Sequence, residues 1–167
     1  MVEIDGHGFG PLEPGDVASV MDGSSGKAIG PIEEHPFIAR QQRLTFARAG
    51  KTRALSLEDY VATGGWEGLK KARATTPAAI IAQVTASGLR GRGGAGFPAG
   101  IKWNTVANAT AELKYIVCNA DEGDSGTFAD RMVMEGDPFM LIEGMAIAAL
   151  AVGAERGFVY IRSEYPH

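Results

Sequence analysis

The chain has 167 residues, 16 basic and 20 acidic, for a formal net charge of −4. That length supports one domain with its own core, and the acid excess excludes the basic face that a nucleic-acid partner requires. A single cysteine excludes an internal disulfide and an iron–sulfur cluster held by this chain alone.

Met1-Val2-Glu3-Ile4-Asp5 carries neither the basic nor the apolar region of a secretory leader. The longest apolar stretch, Met140 to Val152, is interrupted by Glu143 and Gly144 and is too short to span a bilayer. The sequence therefore reads as a cytoplasmic chain with no membrane and no nucleic-acid partner. Residues 1–36 are rich in glycine, proline and acid; Pro14 to Met21 suits one short helix, and the rest reads as linker or tail. From Phe37 the pattern tightens. Ser56 caps a helix, with Asp59 three residues on, and Gly64-Gly65 ends it. A second helix runs from Trp66 to about Arg73. Thr76 and Pro77 open a third, with Ile80, Ile81 and Val84 on its apolar face and Gly88 just past its end. Pro98 starts a helix through Trp103 to about Asn108. Lys114 to Asn119 is a strand, expected to be buried on both faces because its run is apolar and rich in β-formers. Asp137-Pro138 is expected to cap a long helix that stops near Gly153, and Gly157 to Arg162 is a second strand. Strand, helix, strand predicts an α/β class with parallel strands and a crossover helix.

Two segments carry the chemistry. Gly91-Arg92-Gly93-Gly94-Ala95-Gly96 fits the G-x-G-x-x-G spacing, but a helix precedes it where the dinucleotide fingerprint needs a strand, so the standard Rossmann reading is rejected. The physics survives: side-chain-free backbone admits an anion to its N–H groups, and the helix opening at Pro98 aims its positive end at the same place. Arg90, Arg92 and Lys102 add charge. The alternative is a flexible hinge. The second segment, Cys118 to Phe128, follows a strand's C-terminal end, where open α/β sheets bind ligands. Asn119 both donates and accepts, which suits a flat heterocycle. Asp121, Glu122 and Asp124 crowd three carboxylates into four residues, which favours a partner for each or full solvation. A solvated acidic turn and, less strongly, a divalent metal site are the alternatives. Cys118 reads as a small buried residue. Trp103 reads as core, and Phe97 as core or as a cover for a ring. His7, His35 and His167 suggest no ligand set, and no metal site is expected.

Taken together, Gly88-Leu89-Arg90-Gly91-Arg92-Gly93-Gly94-Ala95-Gly96-Phe97-Pro98, Gly100-Ile101-Lys102-Trp103 and Cys118-Asn119-Ala120-Asp121-Glu122 resemble the flavin-binding subunit of respiratory NADH dehydrogenase (complex I) and its relatives, the diaphorase subunits of NAD-linked hydrogenases and formate dehydrogenases. The resemblance runs from about His35 to His167. Asp121-Glu122-Gly123-Asp124-Ser125-Gly126 departs from the usual Asp-Glu-x-Glu-Pro-Gly, and Phe139 stands where respiratory members tend to have His; with His35-Pro36-Phe37 and Gln41-Gln42-Arg43 these resemble the beta subunit of NAD-dependent formate dehydrogenases.

The resemblance implies a Rossmann-like FMN-binding domain that exchanges a hydride with NAD(H) and passes electrons singly to iron–sulfur clusters. It implies that Gly91, Arg92, Gly93, Gly94, Lys102, Asn119, Asp121 and Glu122 hold FMN, with Gly96 in the same loop and Phe97 stacked near the nucleotide. Glu122 and Asp124 are the expected catalytic acids, Asp124 on the nicotinamide side. It implies a molybdenum- or tungsten-bearing alpha subunit and a [2Fe–2S] gamma subunit as partners. Residues 1–36 are then the linker or tail of an upstream thioredoxin-like domain. Residues 37–167 are the N-terminal part of the FMN/NAD(H) domain, truncated at its C-terminus, and the family's [4Fe–4S] cluster belongs to the full-length subunit. An NADH dehydrogenase (quinone) or hydrogenase flavoprotein, and a non-catalytic flavin-binding or assembly fragment, are the competing readings.

Overall fold

The computed structural model describes residues 2–124 and 126–165. It divides the chain into two compact units, with the boundary between Leu44 and Thr45.

The first unit holds more structure than the expected linker. β1 (Val2–Ile4) and β2 (His7–Phe9) pair antiparallel, and β3 (Ala28–Pro31) joins the other edge of β2. Asp5 and Gly6, between the paired Ile4 and His7, both have positive φ (47° and 77°), the conformation that a two-residue Asp-Gly hairpin turn requires. Strands of three or four residues are too short to show alternation, which is why composition alone reads as linker here. The predicted helix is present as a 3-10 turn, Pro14–Asp16, running into α1 (Val17–Met21). A 3-10 turn, Ile32–Glu34, and the short α2 (Pro36–Ala39) follow.

The second unit is α/β. The Ser56 hydroxyl accepts from the Asp59 N–H (3.1 Å) at the start of α3 (Leu57–Ala62). The chain turns back at Gly64 and enters α4 (Glu67–Arg73) through Trp66. Thr76 caps α5 (Pro77–Ala86) by accepting from the Ala79 N–H, Pro77 occupies the first turn, and Gly88 leaves the helix at φ 69°. α6 (Ala99–Asn108) starts after Pro98 and lies so close to α5 that a Cβ on Gly100 would collide with Thr85. β4 (Tyr115–Ala120) and β5 (Arg156–Ile161) are parallel, in register from Tyr115↔Arg156 to Ala120↔Ile161. Between them run α7 (Ala129–Gly136) and α8 (Pro138–Val152), which ends on Gly153 at φ 73°. α8 contacts α4, α5, α6 and both strands. The core lies along it: Ile80, Ile81, Ala72, Ala151 and Val152 are buried, with Trp103, Val106, Ile116 and Ile147 packed around them.

Two expectations are corrected and one helix is added. β4 is not buried on both faces: Ile116 and Cys118 are half-buried toward α8, whereas Tyr115 and Val117 are exposed. α8 covers one face, and nothing among the described residues covers the other. Asp137 does not cap α8. Its carboxylate is buried and paired with Arg48 Nε at 2.7 Å, so Pro138 alone marks the helix start. Residues 129–136, between the acidic loop and Pro138, form α7.

The most constrained group is Glu143. It sits on α8, only 8 % exposed, and reads in sequence merely as an interruption of an apolar run. Its carboxylate accepts from the Tyr60 hydroxyl, from the Trp66 N–H (2.8 Å) and from the Leu69 N–H (2.8 Å). It thus satisfies the free N–H groups that open α4. Two glycines make room: a Cβ on Gly68 would stand 2.8 Å from the carboxylate, and one on Gly65 would collide with the Tyr60 ring. Tyr60 also packs against Trp66 and Phe139, with the Arg48 guanidinium 4.7 Å from its ring centre.

Burial would push the Glu143 carboxyl up, but the Tyr60 hydroxyl and the N–H groups of Leu69, Trp66 and Gly68 outweigh it and hold it below its ordinary 4.5. A carboxyl lowered on folding contributes stability above its unfolded value and loses it as pH falls. Stability should therefore decline as pH drops below about 4.5, and Glu143→Gln should flatten that decline. Tyr60→Phe removes one donor from a buried charge and should cost about 1.5–3 kcal/mol in chemical denaturation. A cost near zero would mean that water replaces the hydroxyl and that the site is wetter than the packing indicates.

Candidate functional site

The glycine segment is a loop pinched at its neck. Arg90 and Pro98 bridge antiparallel, the Gly91 N–H donates to the Phe97 carbonyl (2.9 Å) and the Ala99 N–H to the Leu89 carbonyl (2.9 Å). The Arg90 guanidinium closes the loop by donating to the Gly96 carbonyl at 2.8 Å. Arg90 is thus engaged in holding the loop and is not a free cation. Gly94 and Gly96 have φ of 92° and 59°, where a side chain is strained. Gly93 is different. Its φ is ordinary, and a Cβ there would meet nothing within 4 Å. Neither the chain's conformation nor its packing asks for glycine at that position. Arg92 is exposed on this loop and Lys102 is exposed on the first turns of α6; neither forms an ion pair among the described residues. Phe97 is half exposed, so it is not core; Trp103 is core.

The acidic segment leaves the sheet at the C-terminal ends of β4 and β5. Asn119 is paired in register with Tyr160, and these two, with Val117 and Asp121, line an open cleft of about 420 Å³. Asn119 Oδ1 accepts from the Asp121 N–H (3.1 Å), which fixes the amide and leaves its NH2 for a ligand. The next residue turns away. Glu122 has φ 46°, and its carboxylate accepts from the N–H groups of Asp130 (3.1 Å) and Arg131 (2.9 Å) at the start of α7. Burial would raise this carboxyl, but the Arg131, Asp130 and Ala129 N–H groups and the Tyr165 hydroxyl hold it below the usual carboxylate range. Asp124 is exposed at the loop tip. Ser125 of this loop, and His167, lie outside the described residues. Cys118 is half-buried rather than buried; burial and nearby Asp130 push its thiol up, which keeps it neutral.

Of the predicted residues, then, Asn119 and Asp121 come together on the cleft, and Gly91 to Gly96 form one loop beside Phe97, with Lys102 on the following helix. Glu122 faces α7, and no hydrogen bond or ion pair joins the two loops among the described residues. Tyr160, Arg162 and Tyr165 are additions that only the parallel register reveals, because it sets the end of β5 beside the end of β4.

Residues 84–167, half of the chain, match the family model described as the Nuo51 FMN-binding domain. The chain belongs to that family. It is 53 % identical over 127 residues to the NADP-reducing hydrogenase subunit HndC of Solidesulfovibrio fructosivorans, a match covering 76 % of this chain and 26 % of the relative. It is 56 % identical over 110 residues to an NADH-quinone oxidoreductase subunit of Rhizobium meliloti, covering 65 % and 26 %. The crystal structure of an NAD+-reducing nickel–iron hydrogenase in its air-oxidized state aligns with a TM-score of 0.57 at 32 % identity, over 96 % of this chain and 27 % of that one. The chain spans about a quarter of the length of these relatives.

FMN is therefore the cofactor of this domain, and the residues present fit it. Open space over Gly93, exposed Arg92 and Lys102 suited to a phosphate, and a polar edge at Asn119 match a flavin's anionic and heterocyclic parts. The described residues hold no group of three or more His, Cys, Asp or Glu side chains arranged for a metal ion, and no helix long and apolar enough to cross a membrane.

If Glu122 anchors α7, Glu122→Ala should speed amide hydrogen exchange at Ala129–Met132 while leaving α8 protected. Because its carboxyl is lowered on folding, the same loosening should develop in the unmodified chain as pH falls below about 4.5. Unchanged exchange in the variant would show that α7 holds its first turn without the carboxylate.

Proposed function

We propose that the chain forms the flavin-binding part of a diaphorase, which exchanges electrons between NAD(H) and FMN inside a multi-subunit oxidoreductase. The observation that carries this is the pinched glycine loop, flanked by exposed Arg92 and Lys102 and followed by a helix N-terminus, inside the stretch that matches the FMN-binding family model. In this reading Gly93, Gly94 and Gly96 give the backbone N–H array, Gly91 closes the neck of the loop through its N–H to the Phe97 carbonyl, Arg92 and Lys102 neutralise the phosphate, and Asn119 and Asp121 meet the ring edge. Phe97 covers the nucleotide side. Bound FMN would supply the hydride acceptor and the single-electron steps; the chain binds it, orients it and sets the field around it. Asp124 is the acid assigned to the nicotinamide side. Glu122, proposed with it as a catalytic acid, acts through the shape of the loop, since its carboxylate is engaged with α7.

The specific assembly we infer is an NAD-dependent formate dehydrogenase, with a molybdenum- or tungsten-bearing alpha subunit and a [2Fe–2S] gamma subunit. Support comes from Asp124, Ser125 and Phe139, where the sequence departs from the respiratory pattern. Phe139 belongs to the aromatic cluster with Tyr60 and Trp66, where the imidazole of respiratory members would bring a polar ring among buried aromatics. The tail of a thioredoxin-like domain is the corresponding reading for residues 1–36. A hydrogenase or NADH-quinone oxidoreductase subunit is the second reading, favoured by the identities of 53 % and 56 % to such subunits. Purifying the native complex and assaying formate, hydrogen and quinone as redox partners separates the three.

Gly93→Val should abolish FMN binding with little change in melting temperature, because its side chain enters space empty of protein. Full flavin content in that variant would move the site off this loop. Asp124→Ala should retain FMN but slow NADH–ferricyanide turnover per flavin, by roughly 100-fold or more if the acid acts in the transition state. Lost flavin with unchanged turnover per remaining flavin would place Asp124 in cofactor binding instead.

A further inference from the structure

Beyond the paired strands, the chain's two exits are tied to each other. Ala120 and Ile161 are the last register partners, so Glu122 and Arg162 emerge side by side. Arg162 Nη1 donates to the Glu122 carbonyl at 2.8 Å, across 40 residues of sequence. Its other donors form a fork on Glu164, Nη2 to Oε1 at 3.0 Å and Nε to Oε2 at 3.2 Å. The Tyr165 ring lies between two guanidiniums, Arg131 at 5.4 Å and Arg162 at 5.5 Å from its centre, and its hydroxyl reaches Glu122 Oε2 at 3.5 Å. The Arg162 side chain is only 23 % exposed.

The carbonyl it grips belongs to a residue with a side chain in the left-handed region, a conformation that such residues leave unless it is held. If Glu122 relaxed to negative φ, the chain just past Asp121, which lines the cleft, would take another direction.

We infer that Arg162 is a positioning residue for the flavin site: it fixes the backbone of Glu122 so that Asn119 and Asp121 face the cleft while the Glu122 carboxylate anchors α7. Planarity matters to this role. The guanidinium engages a carbonyl and a carboxylate at once in fixed geometry, which a lysine ammonium cannot reproduce. The inference rests on the flavin reading of that cleft.

The test uses the chain purified in its native complex, stripped of flavin and titrated with FMN well below the melting temperature. Arg162→Gln should weaken FMN binding roughly 10- to 100-fold, the usual cost of releasing a group that orients ligand-binding residues, and Arg162→Lys should fall between it and the unmodified chain. Because Arg162 acts through Glu122, combining Arg162→Gln with Glu122→Ala should weaken binding by less than the product of the separate effects. Should Arg162→Gln fail to fold, Glu164→Gln, at a residue whose side chain is 62 % exposed, releases one arm of the fork and should weaken binding in the same direction. Unchanged affinity in these variants, with Asn119→Ala losing flavin, would overturn the role of Arg162 and leave the site reading intact. Unchanged affinity in Asn119→Ala as well would overturn both. Fully multiplicative effects of the Arg162 and Glu122 changes would show that Arg162 does not act through this loop.

Discussion

The buried carboxylate of Glu143 is the constraint on which the second unit depends. Burying a charge is costly unless hydrogen bonds replace its water. Here two backbone N–H groups and a phenol do so, the N–H groups from the start of α4 and the phenol from α3. The carboxylate sits mid-helix on α8, and its donors open α4. Meeting them fixes α4 against α8 and seats Tyr60 over Gly65. α8 then supports the rest: α5 and α6 pack on it, and β4 lies under it with Ile116 and Cys118 turned inward. An apolar residue at position 143 would fill the volume but leave the α4 N–H groups unsatisfied.

The same device recurs at the site. Trp66 and Glu122 are both non-glycine residues with positive φ, at 67° and 46°. Each is gripped by a charged side chain from an element far along the chain: Glu143 takes the Trp66 N–H, and Arg162 donates to the Glu122 carbonyl. In both places a local conformation that the sequence disfavours is held by a long-range charge-assisted hydrogen bond, roughly twice as strong as a neutral one. Strain of this kind is stored where direction matters. At Trp66 it aims a helix N-terminus at a buried anion; at Glu122 it turns the chain between the cleft and α7.

The local grammar of the fold was legible in the residues. Ser56, Thr76, Pro77, Gly88 and Gly153 each do what capping chemistry predicts, because those signals act within a few residues. Long-range pairing was not legible. Asp137-Pro138 looks like a cap and start, yet Asp137 is claimed by Arg48, 89 residues earlier. The apolar run of β4 predicts burial on both faces, but apolarity cannot tell which layer supplies the cover. α7 was hidden because its N-cap is Phe128 in the left-handed region, with no Ser, Thr, Asp or Asn to announce it; its capping acceptor, Glu122, comes from a loop. In the site, residue types and spacing brought out the glycine loop and Asn119, whereas Tyr160 and Arg162 needed the register.

Three carboxylates in four residues pose an electrostatic problem, and the loop solves it by giving each a different solvent. Asp121 borders the open cleft, Glu122 is solvated by backbone N–H groups and a tyrosine, and Asp124 stays in water. The separation has a chemical consequence. A carboxylate whose oxygens are already occupied by a helix N-terminus is a poor base and a poor partner for a ligand's donor, since its lone pairs are spent and its charge is offset. Glu122 is therefore least suited to direct chemistry, although sequence alone ranks it level with its neighbours. Asp121 is fixed by its own N–H to Asn119 and meets whatever fills the cleft, which suits orientation of a flat ring. Asp124 keeps its oxygens free and its position adjustable, which suits a partner that enters and leaves. One short acidic loop thus gives three side chains of the same chemistry three different surroundings, and what separates them is the direction in which the backbone at Glu122 is held.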